Sequence, residues 1–315
     1  MKKVSFVVPV YNEESNLREF HNRMAAVMES QPYDYEILYV DDGSSDGSAA
    51  VLQALADEDP HVQAYLLTRN YGHQLALTCG LDHAEGDAVV TMDGDLQHPP
   101  ELVPDMLERW EAGFQMVKTI RKSTEDASFF KKTTSAIYYK LINKLSQVEI
   151  TPGGSDFRLM DREVVRSFRL YRERARFIRG LVNTLGYKVA TIEFVAPPRF
   201  SGTSKFNLRK MLHFALDGIT AFSNLPLRWA FYCGLICGLI SLGTLLHVLF
   251  VRCVLDDAVP GWATITVCIT FLGGIQLIGI GILGEYIGRI FEEVKQRPLY
   301  LVARHIKHAA EDTER

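Results

Sequence analysis

The chain has 315 residues, a formal net charge of −4, 47% apolar residues and 23% charged residues. The length suggests about two structural units, and the ordinary charge balance argues against a general nucleic-acid binder. The average conceals a division, because residues 1–225 have a mixed composition while residues 226–290 are strongly apolar. We therefore expect a soluble domain joined to a membrane segment, with no nucleic acid among its partners.

Strands and helices alternate over the first part of the chain. The predicted strands are Val4–Val8, Tyr35–Val40, Val62–Thr68, Ala88–Met92 and Gln115–Ile120. The predicted helices are Glu13–Ser30, a helix that ends at Leu55, His73–Ala84 and Glu101–Glu111. This alternation predicts an α/β fold with βαβ units, a parallel sheet and right-handed crossovers.

The pattern becomes less regular after this alternating region. Phe129–Leu145 is predicted to be a helix, and Ser155–Met160 and Lys188–Val195 are predicted to be strands. In Asn207–Ser223, apolar residues recur at helical spacing opposite two basic residues. We interpret residues 207–225 as an interfacial helix that lies on a membrane after the α/β domain, which we place at residues 1–206. An ordinary amphipathic core helix is the alternative.

Two uncharged runs, Trp229–Val251 and Trp262–Gly284, are each 23 residues long. A helix of about 20 apolar residues crosses a bilayer core of about 30 Å, and Trp favours the interface at which each run begins. We expect a transmembrane hairpin over residues 226–290 and a C-terminal tail over residues 291–315. Two buried helices of a soluble core are the alternative.

The orientation of this hairpin follows from its flanking charges. The link between the two runs is short, so both long ends of the chain lie on one side. These ends are rich in basic residues, including Arg209, Arg228, Arg289 and Lys295, and the link is not. The positive-inside rule therefore predicts an integral membrane protein whose large domain is cytoplasmic. Glycine pairs four residues apart in the spans permit close contact between helices, which is consistent with a homo-oligomer. A chance spacing of the glycines is the alternative.

Acidic residues follow two of the predicted strands. Asp41 and Asp42 close the second strand, and Asp93 and Asp95 close the fourth. Side chains at i and i+2 of an extended segment point the same way, so Asp93 and Asp95 can converge. Mg²⁺ or Mn²⁺, which prefer oxygen ligands, would relieve their repulsion, and Gln97 could add a ligand. Each cluster alone is also typical of a turn. Two clusters at carboxyl ends of alternate strands favour one shared pocket.

Several motifs together resemble glycosyltransferase family 2. They are Pro9-Val10-Tyr11-Asn12-Glu13, Asp41-Asp42-Gly43-Ser44-Ser45-Asp46, Arg69-Asn70-Tyr71-Gly72, the segment Asp93–Glu101, Gly153–Arg158 and Arg199–Lys205. Within that family the chain is similar to polyprenyl-phosphate glycosyltransferases, which include bacterial bactoprenol glucosyltransferases and dolichol-phosphate mannose synthases. The resemblance covers essentially the whole chain and implies a GT-A (Rossmann-like) domain with a mostly parallel sheet.

The resemblance also implies roles for individual residues. Nucleotide-sugar binding is implied for Pro9, Tyr11, Glu13, Asp42, Gly72, Asp93, Gln97 and Ser204. Metal ligation is implied for Asp93, Asp95 and Gln97, and a catalytic role for Asp95, Asp156, Arg199 and Lys205. Arg121, Lys131 and Ser135 are expected to bind the acceptor phosphate, with solvated surface charge as the alternative for the basic residues.

The expected reaction passes a sugar from a nucleotide sugar, UDP-glucose or a similar donor, to undecaprenyl phosphate or a related polyprenyl phosphate. A phosphate monoester has a second pKa of about 6, so this nucleophile is already ionised and needs no strong base. We expect direct displacement with inversion. A processive polysaccharide synthase is one rival, although the segment before the first span, Leu225–Trp229, lacks the Gln of the Gln-x-x-Arg-Trp motif. An inactive membrane scaffold is the other.

Overall fold

The computed structural model describes residues 1–122, 154–174, 176, 178–195, 225–254 and 261–308. These residues form two compact units, a sheet domain that includes residues 297–308 and a pair of long helices. The predicted helices Phe129–Leu145 and Asn207–Ser223 lie outside the described residues, as do Lys131, Ser135, Arg199, Ser204 and Lys205.

The sheet domain contains every strand predicted within the described residues. Its strands are β1 (Lys3–Val10), β2 (Asp34–Asp41), β3 (Val62–Leu67), β4 (Ala88–Thr91), β5 (Met116–Arg121), β6 (Gly154–Asp161), β7 (Val189–Phe194) and β8 (Val302–Ile306). Its helices are α1 (Glu14–Glu29), α2 (Ser48–Glu58), α3 (His73–His83), α4 (Val103–Glu111), α5 (Arg162–Leu170) and α6 (Ile178–Thr184). Of these elements, α5, α6 and β8 were not predicted.

The described strands form one mixed sheet in the order β7-β5-β6-β4-β1-β2-β3-β8. Strands β4, β1, β2 and β3 run parallel, and β5 runs parallel to β7. Strand β6 is antiparallel to both β4 and β5, and β8 is antiparallel to β3. The predicted α/β fold is confirmed, and its sheet is mixed, with four parallel and three antiparallel strand pairs among the described residues.

Strand β1 lies in the middle of the sheet and is covered on both faces. Phe6 and Val8 belong to the apolar core that includes Leu17 and Phe20 of α1. On the other face α3 approaches so closely that a Cβ built on Gly80 would lie 2.2 Å from a Val7 methyl carbon. Burial of both faces explains why this strand is mostly apolar, with the buried Ser5 as the polar exception between Val4 and Val10.

The C-terminal tail predicted over residues 291–315 requires a correction, because Val302–Ile306 is an edge strand of the sheet domain. The N–H of Thr68 donates to the carbonyl of Leu301 at 3.0 Å, and the Tyr300 hydroxyl donates to Asp82 at 2.8 Å. Strand β8 supplies partners for backbone groups that β3 would otherwise expose. A five-residue strand is too short for its sequence pattern to distinguish it from a tail.

The second unit is a pair of contacting helices, α7 (Leu225–Val254) and α8 (Trp262–Val294), of 30 and 33 residues. Each contains a stretch long and apolar enough to cross a membrane. Large apolar side chains along them are exposed, including Leu239 at 61%, Ile269 at 65% and Leu277 at 71%. The core helix of a soluble protein would bury such side chains. Helix α8 also runs past the predicted end of the hairpin at residue 290.

Candidate active site

The carboxyl ends of β1, β2 and β4 open at one edge of the sheet. Val10 of β1 pairs with Asp41 of β2, and β4 joins β1 on its other side in parallel. The loops that follow these strands carry Asp42 and Asp93, and Pro9 lies one residue before the end of β1. Open parallel sheets bind ligands at this edge, so the predicted nucleotide-sugar residues lie where such a site is expected.

Asp42 ties the loop after β2 to the loop after β3. Its Oδ1 accepts the backbone N–H of Tyr71 at 2.6 Å, and its Oδ2 accepts that of Gly72 at 2.8 Å. The residue is 3% exposed. Burial raises the pKa of Asp42 above its ordinary value, and the two N–H donors offset only part of this effect. Two residues predicted to bind the nucleotide sugar, Asp42 and Gly72, are therefore in direct contact.

Gly43 lets these two loops approach at backbone distance. Its φ is +69°, in the left-handed region that favours glycine. A Cβ at this position would lie 2.6 Å from the carbonyl carbon of Arg69 and 2.7 Å from the backbone nitrogen of Asn70. No other residue type fits without displacing the loop after β3.

The loop after β1 carries Tyr11 and Glu13 and is fastened by the asparagine between them. Asn12 adopts a φ of 56°. Its N–H donates to Ser44 Oγ at 2.9 Å, and its Oδ1 accepts the N–H of Ser45 at 2.8 Å. The Tyr11 ring is 45% exposed. The loops after β1, β2 and β3 are thus joined into one hydrogen-bonded rim around the predicted nucleotide pocket.

His98 fixes the backbone of Asp93. Its Nδ1 accepts the N–H of Asp93 at 2.8 Å, and its Nε2 lies 2.6 Å from Ser155 Oγ. The imidazole is buried and stacks on Phe157 with the ring centroids 5.2 Å apart. Because Nδ1 accepts a hydrogen bond, Nε2 carries the proton and donates to Ser155. A single histidine therefore connects the loop after β4 with β6.

The donor set around Asp93 fits a hard divalent cation. Its Oδ1 is buried and has no hydrogen-bond partner among the described residues. Asp95 lies two residues further on, and its Oδ1 accepts the N–H of Gln97 at 3.1 Å. A buried carboxylate oxygen that makes no hydrogen bond, two residues before a second carboxylate in the chain, suits Mg²⁺ or Mn²⁺. Within the described ranges no group of three or more His, Cys, Asp or Glu could hold a metal, so bound substrate and water would complete the coordination.

Asp156 on β6 is the most heavily hydrogen-bonded carboxylate of the site. Arg179 donates to both of its oxygens, from Nε at 2.9 Å and from Nη2 at 2.8 Å. Arg158 donates to Oδ1 at 3.1 Å. Burial alone would raise the pKa of Asp156, but hydrogen bonds from His73 and Arg179 and the charges of Arg179 and Arg158 hold it well below its usual range. Asp156 is therefore a fixed anion and a poor proton acceptor.

His73 lies between the two acidic positions. Its Nε2 is 3.5 Å from Asp93 Oδ1 and 3.6 Å from Asp156 Oδ2. Burial lowers the pKa of His73, but the two carboxylates outweigh this effect, so that the pKa is raised above its ordinary value. The imidazole thus connects the segment predicted to bind metal and diphosphate with the carboxylate predicted near the reacting centre.

Not every predicted residue joins this cluster. Arg121 is exposed at the end of β5, and no contact between it and Asp93 or Asp156 is present in the described part of the chain. Residues of the site without a predicted role include His73, His98 and Arg179. His73 lies next to a motif of the family and His98 lies within one, so their positions could have indicated a role in the site. Nothing in the sequence pointed to Arg179, which lies on the unpredicted helix α6.

The family model for glycosyl transferase family 2 matches residues 5–169. The chain belongs to this family and is a glycosyltransferase, which confirms the resemblance seen in the sequence.

Relatives match almost the full length. The SfII prophage-derived bactoprenol glucosyl transferase of Shigella flexneri is 43% identical over 302 residues, which are 96% of this chain and 98% of that protein. The uncharacterized glycosyltransferase YkcC of Bacillus subtilis is 41% identical over 300 residues, 95% of this chain and 93% of that one. Among solved structures, mannosyl-3-phosphoglycerate synthase from Rubrobacter xylanophilus matches with a TM-score of 0.47 and 19% identity, over 70% of this chain and 72% of that chain. This last similarity is too low to support an inference.

Proposed function

We propose that this enzyme transfers a hexosyl group from a UDP-sugar, with UDP-glucose as the first candidate, to a polyprenyl phosphate at the cytoplasmic face of a bacterial membrane. The observation that carries this proposal is the 43% identity to a bactoprenol glucosyl transferase over 96% of the chain. A match of this extent includes the two apolar helices as well as the catalytic sheet.

The membrane part of the proposal is supported by α7 and α8. Their apolar side chains are exposed to the surroundings, as the lipid-facing surface of a transmembrane helix must be. A polyprenyl tail favours the bilayer by about 0.8 kcal/mol for each buried CH₂, so the enzyme has to act at the headgroup plane. Basic residues at both outer ends of the helices favour a cytoplasmic catalytic domain. Glycine pairs on these helices keep a homo-oligomer as a prediction.

The donor side of the site would be formed by the rim around Asp42 and by Asp93 and Asp95. The Tyr11 ring and the Asp42–Gly72 contact are suited to hold the base and ribose. Asp93, Asp95 and Gln97 would hold Mg²⁺ or Mn²⁺, which neutralises the charge that develops on the departing diphosphate. Arg199, Ser204 and Lys205, outside the described residues, remain candidates to contact the same phosphates.

The acceptor needs no strong base from the protein. Its nucleophile would be an oxygen of a phosphate monoester, which is mostly ionised at neutral pH because its second pKa is about 6. This agrees with an Asp156 whose oxygens are occupied by Arg179 and whose pKa is held low. We therefore propose direct displacement at the anomeric carbon with inversion, in which Asp156 orients groups without removing a proton. Arg121, Lys131 and Ser135 remain the proposed contacts of the acceptor phosphate.

The test uses membranes that contain the full-length enzyme. They would be incubated with polyprenyl phosphate and labelled UDP-glucose, UDP-N-acetylglucosamine or GDP-mannose, and the lipid would be extracted. We expect label in a monoglycosylated lipid phosphate, with an anomeric configuration opposite to that of the donor. A long polymer would support the processive synthase instead. Label in no product with any donor would support the inactive scaffold, and retained configuration would contradict direct displacement.

A further inference from the structure

The pairing of Arg179 with Asp156 joins an unpredicted helix to the centre of the site. Arg179 lies on α6, and its Nε and Nη2 are each within 2.9 Å of a carboxylate oxygen of Asp156. Such a fork fixes the plane of a carboxylate as well as its position. Arg158 contacts Oδ1. Among the described residues, the other groups that face Oδ2 lie farther away than Arg179, with Gln74 at 3.5 Å and His73 at 3.6 Å.

The first turn of α3 holds the same arrangement from the other side. Gln74 Oε1 accepts the backbone N–H of Ile178, directly before Arg179, at 2.9 Å. Gln74 Nε2 lies 3.5 Å from Asp156 Oδ2. Gln74 is therefore placed between the start of α6 and the carboxylate, so that α3, α6 and β6 meet at Asp156.

This arrangement extends to the segment predicted to bind the metal. His73 precedes Gln74 on α3, and its Nε2 lies between Asp156 Oδ2 and Asp93 Oδ1. A displacement of Oδ2 would therefore change the surroundings of His73, and with them the side of Asp93 that His73 faces. The Asp156 side chain is 5% exposed, whereas those of Arg179 and His73 are 40% and 41% exposed, so the buried carboxylate lies between two groups that reach solvent.

We propose that Arg179 is a positioning residue for sugar transfer, which sets the orientation of Asp156 and, through it, of His73 beside Asp93. The inference rests on the proposed function, because it takes Asp93 to be part of the donor-phosphate site. Arg179 acts on the reaction through Asp156, so its loss should lower kcat more than it weakens donor binding. Groups that orient the residues around a metal site typically contribute 10- to 100-fold.

The chain offers a matched control for a purely structural salt bridge. Arg172 precedes α6 by a few residues and is 49% exposed in its side chain. Its Nη1 contacts both oxygens of Asp82 at 2.9 Å. Asp82 is on α3 at the end far from His73. Arg172→Ala therefore also removes an arginine–carboxylate pair, but one that joins the segment before α6 to α3 away from the site.

The experiment compares full-length wild type, Arg179→Ala, Arg179→Lys and Arg172→Ala in membranes. For Arg179→Ala we expect kcat to fall about 10- to 100-fold, with the KM for the UDP-sugar changed by less than about threefold and with partial recovery on addition of millimolar methylguanidinium. Arg179→Lys should recover less than the added guanidinium does, because an ammonium cannot form the fork. Arg172→Ala should keep wild-type kcat and show no response to methylguanidinium.

Two outcomes would overturn the inference while wild type transfers sugar normally. One is equal loss of kcat in Arg179→Ala and Arg172→Ala without rescue, which would indicate a structural contribution only. The other is full activity of Arg179→Ala. If Arg179→Ala does not accumulate in the membrane, Arg179→Lys provides the test. A wild-type kcat in Arg179→Lys would also contradict a role for the fork. Absence of transfer by wild type itself would instead contradict the proposed function.

Discussion

The carboxylate of Asp42 accepts the backbone N–H of Gly72 at 2.8 Å, so the end of β2 is bonded to the residue that immediately precedes α3. Gly72 has a φ of 98°, which glycine adopts without strain. This contact places the N-terminus of α3, and hence His73, relative to the predicted nucleotide pocket. The loops after β2 and β3 therefore behave as one structural element.

Replacement of Asp42 by Ala should destabilise the protein and weaken donor binding together. The change leaves the N–H groups of Tyr71 and Gly72 without their acceptor, and each unsatisfied buried donor costs about 1–3 kcal/mol. We expect a lower Tm and a KM for the UDP-sugar raised about tenfold or more. Asp105→Ala, at an exposed position in the first turn of α4, is the control and should change neither. An unchanged KM would show that the loop contact is not needed for the donor.

A comparison of alanine substitutions at two glycines distinguishes the effect of backbone strain from the effect of a close contact between loops. Gly43 and Gly113 both have positive φ, at +69° and +87°, but only Gly43 faces another segment within 4 Å. Alanine at Gly113 should cost only the strain of a left-handed residue, about 1–2 kcal/mol. Alanine at Gly43 should cost more, because it also displaces Arg69, and should raise the donor KM. Equal changes in Tm and KM for the two variants would contradict this account of the loop.

His98 should contribute to metal binding without being a metal ligand. His98→Ala removes the acceptor of the Asp93 N–H and the donor to Ser155, so we expect a loss of about 1–3 kcal/mol in unfolding free energy. We also expect Mn²⁺ affinity to fall about 10- to 100-fold, as for other residues that orient ligands. His98→Asn, whose amide oxygen can replace Nδ1 as acceptor, should retain part of the affinity. Titration of Mn²⁺ in the presence of UDP measures this, with His61→Ala as a distant histidine control.

The sequence was sufficient to predict the part of the fold in which strands and helices alternate. Buried parallel strands are rich in apolar residues, and ligands bind open parallel sheets at the carboxyl ends of the strands. The strands β1 to β5 and the positions of Asp42 and Asp93 at strand ends therefore followed from periodicity and motifs. The direction of β6 did not, because a strand has the same pattern in parallel and antiparallel pairs. It is β6 that brings Asp156 beside the loop after β4.

The parts that could not be predicted depend on contacts between distant segments. Arg179 is charged and lies on a seven-residue helix, and nothing in its local sequence distinguishes a partner of Asp156 from a solvated arginine. The local sequence of Val302–Ile306 does not identify it as a strand either, because this segment forms a strand by pairing with the edge of β3. His73 lies next to a predicted motif and His98 lies within one, but their roles depend on groups from the loop after β4 and from β6.

The stability of the sheet domain should fall in mild acid through His21 on α1. Burial lowers the pKa of His21 below its ordinary value of about 6.5, despite Asp59, whose Oδ2 lies 3.4 Å from its Nε2. The unfolded chain therefore binds a proton at a higher pH than the folded one. Stability from the neutral imidazole is complete above about pH 6.5 and is lost as the pH decreases toward the folded-state pKa. The Tm of His21→Gln should lie below that of wild type at pH 7.5. This difference should become smaller at pH 5.5, because only wild type loses stability when His21 is protonated. A deficit that stays constant or widens would contradict this sign.

Metal dependence is the most direct test of the acidic pair. Treatment with EDTA should abolish sugar transfer, and Mn²⁺ or Mg²⁺ should restore it. Asp95→Ala should lower activity on the order of 100-fold or more, because charge stabilisation at the leaving group is typically worth that much. Asp93→Asn should lower Mn²⁺ affinity as well, since its buried Oδ1 lacks a hydrogen-bond partner among the described residues and is the oxygen best suited to a cation. Binding of Mn²⁺ with UDP, measured by electron paramagnetic resonance, separates loss of the metal from loss of catalysis. Unchanged activity in Asp95→Ala would exclude this residue as a ligand, whereas unchanged Mn²⁺ binding with lost activity would assign it a role in the transfer alone.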